Sequence, residues 1–141
     1  MLLATRTLTV AAKPGSLGAV TEFVRRGAQE AGLPESRIAE LDLLMEEVAM
    51  NVCSYAYPSD TLGEMTVAWS VPAMGELRVE VADRGVEFDP LRTVPPDLTA
   101  SLDGRPIGGL GIHLVKTLAA SLTYRREQGW NRLTFGISAG S

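Results

Sequence analysis

Apolar positions along this chain follow two rhythms, and the switches between them mark its elements. From Arg6 to Ala11 polar and apolar residues alternate roughly, then the run stops at Lys13-Pro14-Gly15, which predicts a half-buried strand and a turn. A spacing of three and four takes over next. Leu17, Val20, Phe23, Val24 and Ala28 form one stripe while Arg25, Arg26 and Glu30 face away, so a helix is predicted, capped by Ser16 and ended at Gly32-Leu33-Pro34. A second stripe of Ile38, Leu41, Leu44, Met45, Val48, Val52 and Tyr55 predicts another helix, from Glu35 or Ser36 to about Ser54, closed by Tyr57-Pro58-Ser59-Asp60.

Alternation then returns. Two strands over 64–71 and 76–82, joined at Pro72-Ala73-Met74-Gly75, form a predicted hairpin, and strands over 121–126 and 131–137, linked at Gln128-Gly129, form a second. Between the hairpins the periodicity breaks down. The stretch from Gly85 to Gly111 carries Pro90, Pro95, Pro96 and Pro106 with repeated glycines, and is read as a lid over a ligand or as a disordered segment. Residues 110–120 predict a short third helix. This order of elements, with helices separate from paired strands, predicts an α+β two-layer sandwich: a mixed, mostly antiparallel sheet with helices on one face.

Composition narrows the picture. With 141 residues, 45% of them hydrophobic, the chain is long enough for one core and short for two, so 1–141 is expected to be a single domain. A net charge of -4 offers no basic field for nucleic acid or an anionic membrane surface. Cys53 is the one cysteine, which excludes an internal disulfide. No signal-peptide pattern opens the chain and no long apolar run interrupts it, so a cytoplasmic location is expected. Phe23, Trp69, Tyr124 and Phe135 fall at periodic core positions and are assigned to packing.

Three short motifs carry candidate chemistry. Glu47 and Asn51, four apart on the second helix, project about 40° from one another around its axis. A carboxylate beside an amide oxygen suits magnesium, and the carboxylate can also deprotonate an attacking hydroxyl; Glu46-Glu47 is equally what a solvated helix face carries. Asp83, at a strand end before Arg84-Gly85, could accept a hydrogen bond from an exocyclic amino group such as that of adenine, or be an ordinary turn aspartate. Gly108-Gly109-Leu110-Gly111 puts bare backbone at a predicted helix N-terminus, where amide groups favour phosphate oxygens. Arg105 and Lys116 flank that loop and could reach phosphate, or be ordinary solvated charges, while His113 is assigned to surface or packing.

In this order and context the motifs resemble the GHKL superfamily, with its Bergerat ATP-binding fold, and within it the bacterial anti-sigma factor serine kinases. The resemblance runs through Glu46-Glu47-Val48-Ala49-Met50-Asn51 with Tyr55-Ala56-Tyr57-Pro58, Asp83-Arg84-Gly85-Val86-Glu87-Phe88-Asp89-Pro90, Arg105-Pro106-Ile107-Gly108-Gly109-Leu110-Gly111-Ile112 and the tail 124–134. It implies ATP and Mg2+ as cofactors, with Asn51 holding the metal and Glu47 as the general base for transfer to a protein serine. It further implies that Asp83 accepts from the adenine amino group, that Gly85 lets the backbone approach the base, and that Gly108, Gly109 and Gly111 cradle the phosphates from a lid at about 86–110. Thr134 matches a threonine near the adenine. Glu87 stands where much of the superfamily has a second glycine. The implied activity is phosphorylation of an anti-sigma factor antagonist, with capture of a sigma factor by the nucleotide-bound form. The alternative is a non-catalytic module whose ATP-ordered lid gates partner binding. The short first strand offers a route to a homodimer.

Overall fold

The computed structural model describes residues 5–58, 60–87, 89 and 118–140. Strand β1 (Arg6–Ala11) leads into helix α1 (Leu17–Glu30) and helix α2 (Glu35–Asn51), and four strands follow: β2 (Glu64–Ala73), β3 (Glu76–Asp83), β4 (Ser121–Glu127) and β5 (Trp130–Ser138). The sheet runs in the order β1-β2-β3-β5-β4. All four pairings are antiparallel, so the described residues contain none of the parallel pairing that a mixed sheet allows. The α+β sandwich is as the sequence predicts.

Period-two patterning decides which face of the sheet meets the helices. Met65, Val67, Trp69 and Val71 of β2, Leu77, Val79 and Val81 of β3, and Leu133, Phe135 and Ile137 of β5 are all buried. They meet Val20, Val24 and Ala28 of α1 and Ile38, Leu41, Leu44, Met45 and Val48 of α2 in one core. Phe135, with no exposed surface, contributes about 2–3 kcal/mol on its own. Trp69 lies against α1 at Gly27, and its ring centroid is 6.1 Å from that of Phe23.

The helix ends differ from expectation in one respect. Gly32 does terminate α1: its φ of +77° is open to glycine at little cost, and Leu33 N–H donates to the Ala28 carbonyl at 3.0 Å. Ser16, however, does not cap it. Ser16 already has helical angles (φ -85°, ψ -9°) as the last residue of a short 3-10 turn, Pro14–Ser16, and makes no side-chain cap bond. A cap needs extended backbone, and here Lys13 is the extended residue, with no acceptor on its side chain. At the other end of the pair, α2 passes beyond Asn51 into one wide π-helical turn, Val52–Ala56. Among the described residues no helix is long and apolar enough to cross a membrane.

Candidate nucleotide site

Asp83 closes β3, the middle strand, and shares the phase of Leu77, Val79 and Val81, so its side chain enters the helix side of the sheet at the sheet's end. It is only 5% exposed. Burial pushes its pKa above the ordinary carboxylate value; the hydrogen bonds from Asn131 and Gly85 and the charge of Arg126 oppose that rise. Both bonds fall on one oxygen: Oδ1 accepts from Gly85 N–H at 2.9 Å and from Asn131 Nδ2 at 2.8 Å. Among the described residues Oδ2 has no partner.

The helix that carries Glu47 and Asn51 is joined to this end of β3 through the π turn. Ala56, five residues after Asn51, gives its carbonyl to Val86 N–H at 2.7 Å. That approach is so close that a Cβ on Gly85 would stand 2.0 Å from the Ala56 oxygen. Tyr57 completes the clasp, its hydroxyl accepting from Arg84 N–H at 3.0 Å and donating to the Glu64 carbonyl at 2.6 Å. The chain leaving β3 is therefore fixed at Arg84 and Val86 by two consecutive residues on the α2 side, Tyr57 and Ala56. Arg84 turns away, its guanidinium 5.2 Å from the centroid of Trp130.

On α2 itself Asn51 is buried, at 8% exposure, and its Nδ2 has no partner among the described residues. An orphaned buried amide costs stability unless something occupies the space beside it. Glu47, one turn earlier, is half-buried and likewise without a partner among the described residues. Burial, and secondarily the charge of Glu46, raises its pKa above the usual glutamate value. A proton acceptor shifted toward neutral pH is what general-base work needs.

These donors fit a magnesium nucleotide. A buried carboxylate with one open oxygen can take an amino N–H, and a single amide oxygen is the kind of sparse ligand that magnesium uses when phosphates supply the rest. Asn51 would hold the metal and Asp83 the base. No cluster of three or more His, Cys, Asp or Glu side chains poised for a metal occurs among the described residues.

Other expectations fare differently. Gly108, Gly109 and Gly111, with Arg105, His113 and Lys116, lie outside the described residues, as do nearly all of the expected lid and most of the residues predicted as a third helix. Thr134 is described, and it is not brought to Asp83. It pairs with Glu80 on β3, out of phase with Asn131, Leu133 and Phe135, and so belongs to the opposite face of the sheet. The residue opposite Asp83 is Asn131, which the sequence reading passed over. Its signal was available: an amide in step with three apolar core positions. Tyr124, assigned to packing, also has a polar task, since its hydroxyl donates to Asn131 Oδ1 at 2.6 Å.

A two-layer α+β domain with a buried acceptor beside a tight glycine turn, and an acid and amide on the adjoining helix, has the features of a nucleotide-binding module. Residues 10–137 match the family model of the histidine kinase-like ATPase domain, and the chain belongs to that family. Serine/threonine-protein kinase BtrW of Bordetella bronchiseptica is 31% identical over 94 residues, covering 67% of this chain and 66% of BtrW. Serine-protein kinase RsbW of Bacillus cereus is 27% identical over 106 residues, 72% of this chain and 65% of RsbW. The matches thus span just under two thirds of either relative. In solved structures the fold recurs in a Mycobacterium tuberculosis protein solved as its RsbU and RsbW domains (TM-score 0.66, 19% identity, 96% of this chain and 32% of that one). It recurs also in a blue-light activated histidine kinase of Erythrobacter litoralis (TM-score 0.58, 20% identity, 89% of this chain and 41% of that one).

Proposed function

We propose that this chain is an ATP-dependent protein serine/threonine kinase that phosphorylates a small anti-sigma factor antagonist and, with nucleotide bound, holds a sigma factor. The observation that carries the reading is the buried Asp83 with one open oxygen, clasped against the end of the helix that presents Asn51 and Glu47. The two kinase-named relatives support it. Mg-ATP, when bound, supplies the transferable phosphoryl group. Asp83 Oδ2 accepts from the base amino group, Asn51 ligates the metal, and Glu47 takes the proton of the incoming serine hydroxyl. Gly108, Gly109 and Gly111 are proposed to give their amides to the phosphates. The direct test is incubation of the protein with labelled ATP and a single-domain antagonist encoded nearby: label in the antagonist is expected, and none there would return the chain to a binding role.

Asp83→Asn separates base recognition from folding. The two N–H donors at Oδ1 would hold the new amide oxygen, leaving its NH₂ group facing the base amino group, donor against donor. Mg-ATP affinity is expected to fall roughly 30- to 100-fold by calorimetry. Stability moves the other way. Because the folded pKa of Asp83 is raised, the charged form costs stability: the loss sets in as pH rises above the unfolded pKa and is complete above the folded one. The ligand-free variant is therefore expected to melt above the wild type at neutral pH, with the gap closing as pH falls through the folded pKa. A homodimer belongs to the same proposal: β1 is an edge strand, and light scattering is expected to give twice the chain mass.

A further inference from the structure

We infer that Asn131 is a positioning residue that keeps Asp83 a one-sided acceptor, and that preference for a 6-amino purine depends on it; this rests on the nucleotide reading above. Asn131 is 5% exposed at the start of β5, directly opposite Asp83. Its Nδ2 donates to Asp83 Oδ1 and to the Val86 carbonyl, both at 2.8 Å. Its Oδ1 accepts from the Tyr124 hydroxyl at 2.6 Å and from Arg126 at 3.2 Å. A carboxylate and a carbonyl can only accept and a guanidinium can only donate, so the neighbours fix which way the amide points.

The arrangement governs the acid in two ways. Asn131 and Gly85 together occupy Oδ1, which leaves Oδ2 as the acceptor without a partner among the described residues. Asn131 also stands between Asp83 and Arg126. The guanidinium ends on Asn131 Oδ1 and, at 2.8 Å, on the Gly85 carbonyl, and no ion pair joins it to Asp83 directly. A direct arginine–aspartate fork would occupy both carboxylate oxygens. The amide passes the arginine's influence across without letting it cover the oxygen that reads the base. The bond to Val86 ties the same amide to the first residues beyond the Asp83-Arg84-Gly85 motif.

The test compares ATP with purine riboside triphosphate, which lacks the 6-amino group, for wild type and Asn131→Ala, with melting curves as a folding check. The wild type is expected to prefer ATP about tenfold, as a hydrogen bond to a charged group allows. In Asn131→Ala that preference is expected to fall to within twofold, with affinity for the amino-free nucleotide little changed. A purely structural role would weaken both nucleotides equally and keep the preference, which overturns the inference. Tyr124→Phe removes only one hydroxyl from the network and tests it should Asn131→Ala not fold: two- to threefold loss of preference supports the positioning role, and an unchanged preference overturns it. A wild type that binds neither nucleotide overturns the nucleotide reading itself, and the inference with it.

Discussion

Glu47→Ala is expected to reduce phosphoryl transfer by about 10³-fold while Mg-ATP affinity stays within about twofold of wild type. The expectation follows from where the carboxylate sits. Glu47 is half-buried on α2, one turn from Asn51, and has no hydrogen-bond or ion-pair partner among the described residues. Truncation therefore orphans nothing and leaves no cavity in the core. Glu46→Ala is the matched control: its side chain is exposed and its removal should leave the rate within about twofold. It should still leave a mark on the pH profile. The Glu46 charge helps raise the Glu47 pKa, so the acid limb of the rate, which tracks deprotonation of Glu47, is expected above the ordinary glutamate range in wild type and lower in Glu46→Ala. Rates measured across pH with both variants check this. Transfer that survives intact in Glu47→Ala would remove the general-base role, and absence of transfer in every form would favour the nucleotide-gated binding module.

Gly85→Ala is expected to be the most damaging single change to the fold near the site. Its new Cβ would meet the Ala56 carbonyl oxygen at 2.0 Å and the Ala56 carbon at 2.5 Å, and a backbone group cannot step aside as a flexible side chain can. Relief requires moving the end of the π turn off the chain that leaves β3, which breaks the Val86–Ala56 bond and loosens the Tyr57 clasp. A cost of about 3 kcal/mol is expected, an upper-range overpacking penalty, with a fall in melting temperature of roughly 12 °C. Mg-ATP affinity should fall with it, because the glycine amide is one of the two donors that hold Asp83. Thermal melts and calorimetry on the same preparation separate the two effects.

Where the pattern of side chains follows burial, the sequence was legible. The two helices and both hairpins came from periodicity because Val, Leu and Phe at those positions have only one favourable side to face. Glu47, Asn51 and Asp83 stood out as candidates because each is a polar residue whose spacing or strand-end position sets it apart. What spacing missed on the sheet has one cause. Thr134 was placed near the base by motif, whereas its phase with Arg132 and Gly136 puts it on the other face. Asn131 and the hydroxyls of Tyr57 and Tyr124 act through partners brought together by pairing between distant strands and by the turn after α2. One-dimensional spacing does not carry such pairing. Ser16 failed for a local reason, since Pro14 starts a 3-10 turn before the serine is reached.

Glu47 and Asp83 differ in how far each is tied into the domain among the described residues. Most of the groups around Asp83 also hold the end of β3 to β5 and to the turn after α2, so replacing Gly85 or Asn131 touches the fold as well as the proposed base site. The proposed general base has no comparable tie among the described residues. On the proposed mechanism a substitution at Glu47 separates transfer from nucleotide binding at little structural cost, so one scaffold can serve either as an enzyme or as a nucleotide-responsive binding partner.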